Sequence, residues 1–284
     1  WRYENEYPLL RTQWTKFFLH QNPAGPATKA PWGLLNQNAP TENEKPDKLK
    51  SSALSAMSML GSGLSRAPAG SGLNMEGEIP AFKPAILAYL SPPLTENLTA
   101  WGPLSINLYG SADTEDTYTW AWFVRIGEVA PNDKVRIWTL GNLKASFREV
   151  EEEKSKPGQP WHSFQNPAIL EPNTIYDFQI EIQPLFLTFK KGHKIYVQIS
   201  CEDLGYEIDS TCDPIGLAGS VPKKISVYHD SEHPSHLLLP VIPDAPEIKP
   251  VGPPVSNIYW GGPSIKDNYI SKFMGGASRR KSSK

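Results

Sequence analysis

Prolines run the whole length of this chain, 28 of them in 284 residues. A proline inside a helix removes one hydrogen bond and collides with the preceding turn, so few windows remain for a helix longer than three turns. Between the prolines lie short runs of β-branched and aromatic residues alternating with polar ones: QWTKFFLH (13–20), AILAYL (85–90), LSINLYG (104–110), TYTWAWFVRIGEV (117–129), KVRIWTL (134–140), IYDFQIEI (175–182), KIYVQIS (194–200) and KKISVYHD (223–230). Period two predicts antiparallel strands with one face toward a core. In IYDFQIEI, Tyr176, Phe178, Ile180 and Ile182 fall on the inner face and Asp177, Gln179 and Glu181 on the outer. KIYVQIS read the same way places Ile195, Val197 and Ile199 inward and Lys194, Tyr196 and Gln198 outward. So many short strands predict an all-β chain, a two-sheet β-sandwich of the jelly-roll kind.

Residues 36–78 interrupt this pattern. The charged TENEKPDKLK is followed by SSALSAMSMLGSGLSRAPAGSG, rich in Ser, Gly and Ala, and the whole predicts a long, flexible surface insertion. Leu54, Met57 and Leu60 recur at spacing three, which would allow a short helix over 49–60. The sandwich is expected to span 1–242, with 243–284 as an extension. There PSIKDNYISKFMGG reads as a short helix capped by Ser264 and stopped by Gly275 and Gly276, ahead of a basic tail.

A formal net charge of -2 provides no basic field to gather phosphates, so nucleic acid is not an expected partner. The sequence contains no apolar run of the roughly 18 residues a membrane span needs and opens with no signal-like segment, so no membrane association is expected and the reading leans to the cytoplasm. The first residue is Trp1 and not Met, which suggests a piece of something longer. Cys201 and Cys212 lack the paired spacing of a zinc site and read as two separate thiols. The sequon Asn97-Leu98-Thr99 matters only in a secreted protein.

Several stretches contain residue types that could carry chemistry. A hydrolase elbow, G-x-S-x-G, needs a strand before it and a helix after it, and the nearest match, Gly63-Leu64-Ser65-Arg66-Ala67, lies in the Gly/Ser-rich insertion. His229, His233 and His236, with Asp230 and Glu232 between them, are close enough to suggest a metal cluster. Pro234 breaks any helix that would align them, and a turn between strands is the preferred reading. His193 follows Gly192 at the mouth of a strand, where a tight turn and an imidazole bonded to loop backbone are expected. A catalytic His193 would need a carboxylate and a nucleophile from elsewhere, and no convincing pair is apparent. Glu149, Glu151, Glu152 and Glu153 read as a solvated loop. Asp113, Glu115 and Asp116 lack the glycine and distal glutamate of a calcium loop. Trp120, Trp122 and the other aromatics suit a core more than a sugar platform, although a carbohydrate-binding module remains the rival reading. No catalytic, cofactor-binding or metal residue is assigned.

Several stretches, taken in order, resemble the C-terminal domain of the cocaine-esterase/Xaa-Pro dipeptidyl-peptidase (CocE/NonD) family of serine hydrolases. They are WRYENEYPL with TQWTKFFL, the run from LAYLSPPLTENLTAWGPLSINLYGS to LGNLKASFRE, LEPNTIYDFQIEIQPLFLTFKKGHKIYVQIS, and ISVYHDSEHPSHLLLPVI. The resemblance implies a galactose-binding-like jelly roll packed against an α/β-hydrolase domain that precedes it in the chain. It implies that the nucleophilic serine, acid and histidine all lie in that preceding domain, so none maps to a position here. It also implies structural roles for GHKIYVQIS and LGNLKASFRE, and leaves self-association as a further expectation, since an excised domain exposes the face that met its partner.

Overall fold

The computed structural model of the chain describes residues 4–22, 33–41, 43–51, 86–113, 121–201, 223–243 and 245. The strands in order are β1 (Gln13–His20), β2 (Gly33–Asn36), β3 (Asp47–Ser51), β4 (Ile86–Leu90), β5 (Leu98–Ala112), β6 (Ala121–Val129), β7 (Val135–Lys144), β8 (Tyr176–Phe189), β9 (Lys194–Ser200), β10 (Lys223–Tyr228) and β11 (His236–Val241). Among the described residues, the helical element is one 3₁₀ turn, Ala145–Phe147, directly after β7.

Hydrogen bonding runs along the path β3-β10-β5-β11-β1-β2-β4-β9-β6-β7, with β8 paired to the other side of β5. β5 is long enough to take two partners on one edge, β11 along Ala100–Asn107 and β10 along Tyr109–Ala112, while β8 follows its other edge from Leu98 to Gly110. The path folds back on itself. β7 comes against the free edge of β8, where Thr139 Oγ1 donates to the Gln183 carbonyl at 2.7 Å. The result is the expected β-sandwich, with the jelly-roll label resting on the family resemblance and not on this strand order.

The two layers meet over one core. Ile106 and Leu108 of β5, Phe178 and Ile180 of β8 and Leu237 and Leu239 of β11 pack with Trp122 and Val124 of β6 and Val197 and Ile199 of β9. Trp122 meets Phe178 edge to face at 5.6 Å between ring centroids. Its ring fits because the facing residue is Gly110: a Cβ there would stand 2.7 Å from Trp122 Cζ2. Trp122 is thus a core residue, as the pattern predicted, while Trp120 lies outside the described residues.

Three expectations change. Residues 36–78 begin as sheet: Asn36 closes β2, and 47–51 pair with β10. Leu49 is therefore a buried strand residue and not the start of a helix, since Asp47 and Leu49 point inward together while Lys48 is exposed. The rest of that stretch, from 52 on, lies outside the described residues, as do Ser65, Cys212 and the helix and tail expected after 245. β9 is covered on both faces, so Tyr196 and Gln198, expected outward, are fully buried, and Tyr196 donates to Gln198 Oε1 at 2.9 Å. Tyr196 packs there with Ala88, Leu90, Val129, Val135 and Ile137 as a second, smaller apolar cluster.

Candidate functional site

The His193 turn answers the question the sequence posed. The His193 N–H donates to the Lys190 carbonyl at 3.0 Å, closing a four-residue turn whose third residue, Gly192, has φ +81°. That position of a type II turn requires positive φ, which glycine alone adopts without a steric cost. The turn is tied to the segment after β4 by Gly192 N–H to the Leu94 carbonyl and Leu94 N–H to the His193 carbonyl, both 2.8 Å. The imidazole does not reach loop backbone as expected. Its Nδ1 lies 2.8 Å from Glu128 Oε2, because β6 pairs with β9 so that Glu128 stands opposite Ile195.

This pair opens on a shallow cleft of about 300 Å³ lined by Glu128, Ala130, Asn132, Lys134, Val135, Arg136 and His193. The far wall is the β6–β7 turn, held by Asp133 N–H to the Ala130 carbonyl at 2.9 Å with Asp133 at φ +60°. A carboxylate holding an imidazole is two thirds of a hydrolytic triad. Among the described residues the lining contains no serine, threonine or cysteine to act as the nucleophile. What the cleft offers a visitor is two cationic side chains beside a histidine whose orientation is already fixed.

A second cluster is buried. His229, at the end of β10, is fully enclosed, and its Nε2 lies 3.1 Å from Asp47 Oδ2, which also accepts from the Tyr89 hydroxyl at 2.9 Å. Its Nδ1 lies 3.2 Å from Glu44 Oε2, an ion-pair distance off the line of a hydrogen bond. Glu44 in turn takes His20 Nδ1 at 2.7 Å and the Gln21 N–H at 2.5 Å, and His20 Nε2 lies 2.9 Å from the Asn38 carbonyl. Burial, and then the neighbouring Asp47 carboxylate, push the Tyr89 phenol well above its ordinary range. Gly33 makes room for the Tyr89 ring, which would overlap any Cβ at that position. This chain of groups fastens the segment before β3 to β1, β4 and β10, with polar atoms satisfying one another where water is excluded.

The other histidines are held just as firmly. His162 lies between two backbone carbonyls, Glu149 O at 2.9 Å from Nδ1 and Gln179 O at 2.8 Å from Nε2. His233 Nδ1 is 3.1 Å from Asp230 Oδ1, which also accepts the N–H groups of Glu232 and His233. His236 Nδ1 is 2.8 Å from the Pro234 carbonyl, and its ring packs on Phe18 at 5.4 Å. His229, His233 and His236 therefore face different partners, and 229–235 is the strand-to-strand turn that Pro234 suggested. Asp113 Oδ1 accepts the Lys224 N–H at 2.8 Å, while Glu115 and Asp116 lie outside the described residues. Asn97 Oδ1 accepts the Lys191 N–H at 2.9 Å.

Sequence reasoning missed Glu128, Glu44, Asp47 and Tyr89. Glu128 and Tyr89 sat in segments already read as strand, and Glu44 and Asp47 in the segment read as a surface insertion. The spacing of Asp47 to Leu49 was the available signal, two residues apart and therefore on one face of an extended chain.

The fold recurs in known proteins. Over 247 residues, 85% of this chain and 40% of the relative, the sequence is 24% identical to cocaine esterase of Rhodococcus sp. (strain MB1 Bresler). Among solved structures, a CocE/NonD family hydrolase from Staphylococcus aureus superposes with a TM-score of 0.57 at 15% identity, covering 85% of this chain and 39% of that one. An aminopeptidase from a marine sediment Thaumarchaeota archaeon gives 0.56 at 15% identity over 85% and 39%. An α-amino acid ester hydrolase gives 0.55 at 19% identity over 80% and 36%. The chain thus spans about 40% of the length of the relatives it matches. Residues 1–238 match the family described as the X-Pro dipeptidyl-peptidase C-terminal non-catalytic domain, and the chain belongs to that family.

Proposed function

We propose that this chain is the C-terminal β-domain of a CocE/NonD-type serine hydrolase acting on esters or Xaa-Pro dipeptides through an acyl-enzyme. In this reading the chain lacks the triad. It braces a hydrolase domain on its N-terminal side and walls one flank of the substrate pocket. The observation that carries the reading is the family match over 1–238, which covers the described sandwich into β11. The His193 cleft supports it in a second way, since among the described residues its lining brings no hydroxyl or thiol to the carboxylate–imidazole pair. Purified chain incubated with activated esters and Xaa-Pro anilides is expected to give no turnover above background. Turnover abolished by a serine-directed phosphonate would refute the non-catalytic assignment.

A second reading, an independent carbohydrate-binding module, is favoured by the exposed rings of Trp161 and Phe164. Saturable quenching of tryptophan fluorescence by a sugar at millimolar or lower concentration, lost in Trp161→Ala, would establish it.

A further inference from the structure

Among the described residues, the large apolar side chains that remain exposed are Tyr7, Leu10, Trp161, Phe164, Ile169 and Phe186, each between 42 and 89% accessible. Five of them fall into two groups on or beside β8, or close to one of these in sequence. Tyr7 stacks on Phe186 at 6.2 Å, and Phe186 meets Trp101 at 6.1 Å, near the C-terminal end of β8. Trp161 and Phe164 flank His162, whose ring is held to the Gln179 carbonyl nearer the start of β8. Ile169 lies apart, next to Ala168, whose carbonyl accepts from Arg148 at 2.8 Å. From Gln179 to Phe186 is seven strand residues, so the two groups follow β8 for roughly 23 Å.

The loop in that strip is built, not loose. Ser155 Oγ donates to the Glu151 carbonyl and accepts the Trp161 N–H, both 2.9 Å, and Glu151 N–H donates to the Trp161 carbonyl at 2.9 Å. Gly158 lies against the Pro103 carbonyl and the Trp14 ring. Phe164 sits at φ +55°, a left-handed conformation that a non-glycine residue keeps only when its surroundings hold it there. The Phe164 ring meets Phe147 edge to face at 5.8 Å and the His162 ring at 5.6 Å, so a side chain that is still 59% accessible is already held in place for another surface.

We propose that this strip along β8 is the face on which the preceding hydrolase domain docks, an inference that rests on the functional reading above. Three observations select that occupant. The matched relatives are about two and a half times as long as their shared region, so a large body accompanies this fold in them. The N-terminal segment reaches the strip itself through Tyr7, which stacks on Phe186, so a domain on that side would be tethered there. The outward side of β9 on the other layer is already closed, with Tyr196 and Gln198 buried. The outward carboxylates of Asp177 and Glu181 border the strip, and burial followed by the Glu152 charge, against an Asn107 hydrogen bond, leaves the Asp177 carboxyl above its ordinary range. The docking face of the partner is therefore apolar with lysine or arginine at its margin.

Hydroxyl-radical footprinting of the longer polypeptide carrying the upstream domain, compared with the 284-residue chain, tests this. Trp161, Phe164 and Phe186 are expected to be modified at least about fivefold more slowly in the longer protein, as for side chains in a dry interface core. Pro92 and Pro93, exposed beyond β4, are expected to react alike in both. Phe164→Ser combined with Phe186→Ser in the longer protein restores fast modification of Trp161. A longer protein that hydrolyses an activated ester yet leaves the strip as reactive as in the short chain overturns the docking face and leaves the hydrolase reading standing. An upstream region without ester or Xaa-Pro hydrolysis overturns that reading and the occupant with it. Protection that appears in the short chain as its concentration rises assigns the strip to a second copy, which also overturns the proposal.

Discussion

Asp47→Ala is the most demanding test of the buried histidine network. The Asp47 carboxylate accepts from the Tyr89 hydroxyl at 2.9 Å and stands 3.1 Å from His229 Nε2, and both Tyr89 and His229 are fully buried. Removing it strands two buried donors at once. Each buried group left without a partner costs about 1–3 kcal/mol, so the variant should lose about 2–6 kcal/mol. Against a usual total of about 5–15 kcal/mol, that is a large fraction of the stability of the fold. Tyr89→Phe removes one donor and leaves His229 its acceptor, and is expected to cost only about 1 kcal/mol. Lys48→Ala, next in sequence but exposed on the opposite side of β3, should change nothing beyond about 0.5 kcal/mol. Urea unfolding followed by tryptophan fluorescence measures all three. The ordering Asp47→Ala, then Tyr89→Phe, then Lys48→Ala is the prediction. An Asp47→Ala protein within about 0.5 kcal/mol of the parent would refute the reasoning, because it would mean that β3 is not docked over His229 or that water replaces the carboxylate.

Gly110→Ala forces a methyl against Trp122 and should cost about 1–3 kcal/mol, lowering the urea midpoint with the slope unchanged. Trp122→Phe in the same protein should recover part of that loss, which a double-mutant cycle reads as coupling between the two sites. His162→Ala frees the loop from β8 and should cost about 1–2 kcal/mol, with faster amide exchange confined to residues 149–165. His236 titrates below its ordinary value, chiefly through burial, with Lys16 adding to the effect and the Pro234 carbonyl opposing it. The unfolded chain then binds more protons than the native one below pH 6.5, so stability falls as the pH drops through that value. Melting temperatures from pH 7.5 to 5 should show a shallower decline in His236→Gln than in the parent; parallel curves would exclude this histidine as a source of acid sensitivity.

How much of this was legible in the sequence depended on whether one face of a strand met water. β8 declared itself because Asp177 and Glu181 are exposed opposite Phe178 and Ile180, so composition and geometry carry the same period. In β9 the period misled, since Tyr196 and Gln198 are buried by a covering that no local pattern encodes. β11 was hidden for a related reason: Leu237 and Leu239 enter the core while Leu238 lies on the outer face, and three leucines in a row carry no alternation. β5 was read as starting at Leu104 because Gly102 and Pro103 look like a break. The strand in fact continues back to Leu98 through a bulge at that point, with Gly102 at φ +143°, the irregularity that admits a proline into a sheet. The functional geometry was further from reach. Glu128 is 65 residues from His193 and Asp47 is 182 from His229, so each carboxylate reaches its imidazole only after strands distant in the chain have paired. A lone histidine in a sequence therefore reads as undecided, and the sheet decides it. Here the sheet places a carboxylate beside His193 and, among the described residues, no hydroxyl or thiol in the lining of its cleft, so the orientation of the imidazole is set by β6 and not by its own turn.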